Sequence, residues 1–409
     1  MVLRVPESLR HTLRALRHRN YRRFYVGQGA SLVGSWMQRV ALSWLAYRLT
    51  GSETVLGLLV FLNQAPTAFL ASVAGVLADR LPKKRLLIWA QAGEMVMAFA
   101  LAILVLLDQA EVWKLLIISF VSGLVSAFET PIRQSFIVEM LDDRADLPGA
   151  LALNSTLFNG ARLVGPAIAG IIVAKLGEGW CFALNGFSYL AVIAALITIV
   201  PRNVAVKRPE GRFFETWREG MAYCWETPAV RLVLGLVTLV SLFALPYLAL
   251  MPAFAKVVLG GDAQTFGFLT SSIGVGALCG GLALAMRRGQ SGLLKLIRGA
   301  MAMFGGALCL VAMSSQFYLS SALLIVTGFS MMLMFASMNT FLQTTVPDHL
   351  RGRVISLYVV CFVGIGPFGS LAAGWVATLI GTPWTIGLGG LTALGLAMGF
   401  WKQMGRLDR

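Results

Sequence analysis

Five ionisable side chains interrupt long apolar runs in this sequence: Arg39, Glu94, Glu129, Arg133 and Arg162. A charge surrounded by hydrocarbon is costly unless it is paired or hydrated, so each is a candidate for handling an ion or a solute. Glu129 and Arg133 stand four residues apart, one helical turn, and can therefore pair on one face. A nearby cation favours the carboxylate and desolvation favours the acid, so a carboxyl that alternates between the two environments gains and loses a proton. The pair thus suggests proton coupling, with a static intrahelical ion pair as the alternative. The planar forks of Arg39 and Arg162 suit carboxylate or phenolate groups on a solute. Arg162 could equally pair with Glu129 or a backbone carbonyl. Glu94 lies only about two turns inside its run and is expected to snorkel or to pair locally.

Uncharged polar residues extend the set: Gln28, Gln38, Asn63, Gln64, Asn154, Asn159, Asn339 and Gln343. These are expected to line a cavity or to bond neighbouring helices. In the second half Phe243, Tyr247, Phe329, Met331, Met332, Met334, Phe335 and Tyr358 form an apolar, aromatic set. Methionine and aromatic surfaces adapt to bulky ligands, although such a stripe also serves as ordinary packing.

The elements that must carry these residues follow from composition. Of 409 residues 57% are hydrophobic, roughly 230, and 13% are charged. A span needs about 20 apolar residues, so the apolar content suffices for roughly twelve spans and leaves little for a soluble domain. Apolar runs predict spans near 24–49, 54–78, 86–107, 114–138, 149–175 and 180–200. A second six follow near 229–255, 264–286, 293–313, 317–345, 353–379 and 383–401. The fold class is therefore all-α membrane protein. Its parts are a basic tail (1–23), a six-helix bundle (24–200), a linker with an amphipathic helix (201–228) and a second six-helix bundle ending in a short tail (229–409).

The net charge of +15 is a matter of orientation. Of 34 Lys and Arg, 24 fall in the tails and even-numbered loops and four (Arg48, Lys114, Lys175 and Lys256) in the odd-numbered loops. Positive residues stay inside, so both termini are expected in the cytoplasm, the protein in the inner or plasma membrane, and nucleic acid is not an expected partner. Membrane lipids are, and a monomer is the expected state. Within 201–228, Phe214, Trp217, Met221 and Trp225 recur at helical spacing opposite Arg212, Glu215, Arg218 and Glu219, the pattern of a helix lying on a membrane surface. Five scattered cysteines and three histidines suggest neither disulfides nor a metal site. There is no GxxxxGK[ST] phosphate loop and no catalytic set, so no cofactor and no enzyme activity are expected. The first 23 residues lack the apolar core of a signal peptide.

The halves are weakly repeated. A shift of 207 places Leu77 to Arg80 on Leu284 to Arg287, and Phe128 on Phe335. After the second predicted span comes Gly75-Val76-Leu77-Ala78-Asp79-Arg80-Leu81-Pro82-Lys83-Lys84-Arg85. This resembles the loop signature of the major facilitator superfamily, with Pro82 at the family's second glycine. The resemblance implies that Gly75, Asp79, Arg80, Lys84 and Arg85 form a conformational-switch loop, with Asp79 and Arg80 locking one state. Gly165-Pro166-Ala167-Ile168-Ala169-Gly170 resembles the antiporter motif of that superfamily's exporters, implying a kinked, closely packed helix at Gly165, Pro166 and Gly170. Gly34 to Ala41, with Glu129-Thr130-Pro131 to Arg133, looks like the branch containing the enterobactin exporter and macrolide efflux proteins. Two six-helix halves rocking about a midplane site are implied. The expected function is export of a bulky amphiphilic compound, drug-like or siderophore-like, by alternating access with proton antiport. Movement of lipid or lysophospholipid is the alternative, and a non-transporting receptor a minor one.

Overall fold

The computed structural model describes residues 13–80, 82–201, 213–287 and 292–407, with the backbone alone for 71–80, 213–218 and 401–407. The described residues form fifteen α-helices and no strand. The first six are α1 (Arg19–Thr50), α2 (Glu53–Arg80), α3 (Lys83–Leu106), α4 (Val112–Glu139), α5 (Leu147–Leu176) and α6 (Glu178–Thr198). A linking helix, α7 (Phe213–Glu226), follows. The second half comprises α8 (Pro228–Phe243), α9 (Tyr247–Ala253), α10 (Ala263–Met286), α11 (Leu293–Met313), α12 (Phe317–Thr345), α13 (Asp348–Val359), α14 (Gly366–Ile380) and α15 (Thr382–Leu407).

Eleven stretches are long and apolar enough to cross a membrane. The twelfth span is α1, 32 residues long, whose mean hydropathy is lowered by Arg22, Arg23, Gln28, Gln38 and Arg39 but which packs against α5 and α6. Two spans predicted as continuous are broken. α8 and α9 are separated by a turn at residues 244–246, because Pro246 has no N–H to give the ladder. α13 passes through a π-helical turn (Val360–Gly364) before α14, whose first turn holds Pro367.

Because the spans alternate in direction, the molecule has a terminal end, where α1 begins and α7 lies, and a far end, where α1 turns into α2. Exposed Trp89 and Trp225 lie near the terminal end, and exposed Trp113, Trp180, Trp375 and Trp384 near the far end. Amphipathic indoles concentrate at the two membrane interfaces, so these rings mark both boundaries of the spanning layer. In α7, Met221 and Trp225 are exposed and Cys224 is buried.

The two bundles meet along α5 with α10 and along α2 with α14. Both crossings use glycine to bring backbones together. A Cβ on Gly267 would lie 2.5 Å from Pro166 O and 2.8 Å from Gly170 Cα, and one on Gly374 would lie 2.5 Å from Glu53 O and 3.1 Å from Gly57 Cα. Polar contacts flank the second crossing. Thr54 and Thr378 share a hydroxyl hydrogen bond of 2.9 Å, and Glu53 accepts from Tyr47 Oη at 3.2 Å and from Thr382 Oγ1 at 3.4 Å. Trp44 stacks on Phe266, centroids 6.3 Å apart. All these contacts lie toward the far end, so that end is sealed.

Ion pairs brace the first bundle. Arg48 grips Glu178 through two nitrogens (2.8 and 3.2 Å) at the far end. At the terminal end Lys83 pairs with Glu139 at 2.8 Å, and Lys84 donates to the carbonyls of Ile197 and Ile199 that terminate α6. Lys84 therefore anchors α3 to α6, while Arg85 is exposed. Gly75, Asp79 and Arg80 belong to the last turns of α2, and their side chains lie outside the described residues.

His18, buried ahead of α1, sits 3.1 Å from Asp142 and 2.9 Å from Asp146. Burial disfavours its imidazolium, but the hydrogen bonds and charges of the two aspartates outweigh this and raise it above its ordinary value. A raised folded-state value stabilises fully below the unfolded one and is lost as pH rises through the folded one. The difference in unfolding temperature between the protein and His18→Asn should accordingly be largest below the ordinary histidine range and shrink as pH rises through the raised folded-state value; a difference independent of pH would show that folding does not raise the imidazole.

The glycine crossings generate a second expectation. Gly267→Leu cannot be accommodated against Pro166 and Gly170 without moving a helix, so it should part the bundles at the far end. Pulsed electron resonance between spin labels at positions 51 and 381 should then report a longer distance than in the parent, whereas Gly299→Leu, where nothing lies within 4 Å of an added Cβ, should leave it unchanged.

Candidate functional site

A cavity of about 670 Å³ opens between the bundles, and among the described residues lining it only Val363 comes from the second half. Helix periodicity explains its polarity. On α4, Ser119, Ser122, Ser126, Glu129 and Arg133 follow one another at spacings of three and four, which keeps them on one face. On α1, Gln28, Ser31, Ser35 and Gln38 do the same. These facing stripes, joined by Asn63 and Gln64 from α2, Gln91 and Glu94 from α3, Asn154 and Asn159 from α5 and Tyr189 from α6, make a hydrophilic recess inside an apolar bundle.

The charged groups are arranged as follows. Arg133 Nε lies 2.8 Å from Glu129 Oε1, both side chains largely covered, and Gln91 Nε2 donates to the same carboxylate at 3.3 Å. Glu94 accepts from Ser126 Oγ at 3.0 Å and makes no ion pair within 4.0 Å among the described residues; the charges that reach it are those of Glu129 and Arg39. Arg39 is open to the cavity and stands 4.9 Å over the Trp36 ring. Arg162 stands 5.9 Å over the same ring. Phe158 meets that ring edge-on at 5.8 Å. The carbonyl of Gln38 accepts from Asn185 Nδ2 at 2.8 Å, Asn63 donates to Ser119 O at 3.2 Å, and Asn159 donates to Ser155 O within its own helix. Buried oxygens of Gln28 and Gln91 have no protein partner among the described residues and remain available to a solute.

Several residues singled out by sequence do not line this cavity. Arg162 lies at the seam between bundles, where a Cβ on Gly274 of α10 would come 3.1 Å from its carbonyl oxygen. Tyr247 is buried in the second bundle, its ring 6.0 Å from Phe304. Asn339 accepts from Gln343 one turn on along α12, and neither is part of the lining. The aromatic and methionine set of the second half is also absent from the lining, and Met331, Met334, Phe335 and Tyr358 belong to the packed core. The reverse correction applies to Glu94. It does not snorkel but lines the recess, 8% exposed, and pairs locally with Ser126 of α4. The regular serine spacing on α4 would have revealed its surroundings. Gly165, Pro166 and Gly170 are buried; Gly165 packs against Trp36 of α1, Gly170 against Ala263 and Gln264 of α10.

α5 shows the asymmetry of the site in one element. Toward the terminal end Leu151, Ser155 and Phe158 are exposed, whereas Pro166, Ala169 and Gly170 toward the far end are buried. The recess is open to the terminal side and closed to the other.

A twelve-helix bundle pair with a polar recess at the pseudo-symmetric interface defines a major facilitator transporter. Solved structures agree at the level of fold. A nucleoside transporter matches with TM-score 0.70 at 13% identity, covering 94% of this chain and 99% of that one. A D-xylose-proton symporter matches with TM-score 0.71 at 14% identity, covering 94% and 98%. Residues 10–406 match the model of the transmembrane secretion effector family, and the chain belongs to that family. Among its relatives, the staphyloferrin A transporter of Staphylococcus aureus is 24% identical, covering 92% of this chain and 94% of the relative. Macrolide efflux protein A of Streptococcus pyogenes is 23% identical, with 81% and 83% covered. The multidrug efflux pump Tap of Mycolicibacterium fortuitum is 25% identical, with 85% and 87% covered. The protein is thus a multi-pass membrane transporter of the secretion and efflux type, acting on small molecules, and not an enzyme.

The asymmetry of α5 is directly measurable. With the five native cysteines replaced, Ser155→Cys should react rapidly with a charged thiol reagent and Ala169→Cys should not; equal rates would show that the seam along α5 is open over its whole length.

Proposed function

We propose that this protein is a secondary-active exporter that takes a small organic solute from the cytoplasm and releases it across the inner or plasma membrane. The excess of basic residues at the terminal end supports cytoplasmic termini. On that reading the open recess faces the cytoplasm, and the structure represents the loading state of an alternating-access cycle. The observation that carries the proposal is this recess, polar and charged, closed only at the far end. Relatives named for a siderophore, a macrolide and multidrug efflux support an organic cargo. The polar lining favours a cargo with many hydrogen-bonding groups.

Proton antiport is the proposed driving force, with Glu129 as the proton site. Protonation neutralises the carboxylate and frees Arg133 from a contact of 2.8 Å. A freed guanidinium in a desolvated recess seeks a new partner, which supplies differential contacts between states. Gly75, Asp79, Arg80 and Arg85, at the terminal ends of α2 and α3, are proposed to brace the bundles in the opposite state, when that end is closed. The chain acts as a monomer surrounded by lipid.

Two measurements test the reading. Deleting the gene should leave a compound retained inside the cell or lower tolerance to a toxic-compound panel; secreted metabolites and tolerance both identical to the parent would oppose export. In everted vesicles, Glu129→Gln should abolish the dependence of transport on the pH gradient, and unchanged dependence would remove Glu129 from the coupling step.

A further inference from the structure

Arg39 and Arg162 form no ion pair among the described residues, although both are carried by spanning helices. What holds each is the Trp36 ring, beneath both guanidinium groups at 4.9 and 5.9 Å. A cation over an aromatic face is held without being neutralised, and its N–H edge stays free for an oxyanion. The two are close enough for each charge to act on the other. They differ in access. Arg39 lines the cavity, whereas Arg162 is outside its lining, partly covered, at the seam where α5 meets α10.

A second observation marks the Arg162 position. The Tyr247 hydroxyl, on a side chain 2% exposed, has no hydrogen-bond partner among the described residues and lies within electrostatic reach of Arg162. A buried hydroxyl without a partner carries an uncompensated desolvation cost. A guanidinium cannot relieve it by accepting, so what would satisfy both is an oxyanion that accepts from each. The charge balance points the same way. Glu129 is occupied by Arg133, and among the described residues of the recess Glu94 is the single remaining acid against Arg39 and Arg162, which leaves one positive charge in excess.

We propose that the exported compound carries a carboxylate or a similar planar oxyanion, and that the two arginines receive it in succession. Arg39 binds it while the recess is open to the terminal side. Arg162, with the Tyr247 hydroxyl, takes it over when the α5/α10 seam parts. This deepens the export reading and rests on it. Trp36 keeps both stations charged in both states, and a cationic cargo is disfavoured at either.

The test uses the full-length protein with benzene-1,3,5-tricarboxylate as probe and its trimethyl ester as the uncharged control. Calorimetric binding in detergent reads the first station, and counterflow of the labelled tricarboxylate in proteoliposomes reads the second. The protein is expected to bind the tricarboxylate and not the ester. Arg39→Gln should weaken binding by about tenfold or more, the loss of one charge-assisted contact, whereas Arg162→Gln should bind within about twofold and lose most counterflow. Arg39→Lys and Arg162→Lys, which keep the charge, should recover part of each loss and so separate recognition from misfolding. Absence of tricarboxylate binding, equal binding of the ester, or the same profile for the two glutamine variants would overturn the proposal. The binding arm does not depend on the direction of transport, so a gene deletion without effect on secretion would count against export alone.

Discussion

The close crossing of backbones at glycine is the constraint on which the remaining architecture depends. Within a membrane, helices gain little from excluding apolar surface and associate through packing, so the approach distance decides which helices can seal against each other. Gly170 with Gly267, and Gly57 with Gly374, allow α5 to touch α10 and α2 to touch α14 at corresponding places in the two halves. These crossings are confined to the far end. The same helices diverge toward the terminal end, and the recess is the space left by that divergence. Glu53, Thr54, Thr378 and Thr382 add hydrogen bonds that are individually weak, of the order of 1 kcal/mol each, so the seal can be broken and re-formed.

The second organising effect is the cost of charge away from water. The effective penalty for burying an ion is several kcal/mol, so buried charges survive where a partner or a wet cavity offsets it. Lys83 and Glu139 use the first solution: both are largely covered and they sit 2.8 Å apart. Arg39 uses the second, with an aromatic ring beneath it. Glu129 and Arg133 combine the two, since the pair faces the recess. Static bracing and solute handling thus draw on the same side-chain types and are told apart by what lies next to them.

Much of this was legible in the sequence. The spans, the two halves and the linking helix followed from apolar runs and from the spacing of Phe214, Trp217, Met221 and Trp225, because bilayer thickness and helical pitch leave few alternatives. The gathering of charged residues in the first half was legible too, and Arg39, Glu94, Glu129 and Arg133 share one recess. Hydropathy was blind to direction around the helix axis. It left Glu94 to snorkel or to pair locally, and it admitted Asn339, Gln343 and Tyr247 to the cavity although none of them is part of its lining: Tyr247 is buried in the second bundle and Gln343 is exposed on α12. The broken spans were hidden for another reason: Pro246 and Pro367 lie within runs whose mean hydropathy is undiminished by a missing N–H.

Val363, the lone contribution of the second half to the recess among the described residues, stands near the end of the π-helical turn between α13 and α14. Nearly all the described groups that line the recess belong to one bundle, so substitutions on the inward stripes of α1 and α4 alter the lining without touching the glycine crossings at the far end. A change in what the recess holds is therefore separable from a change in how the far end closes.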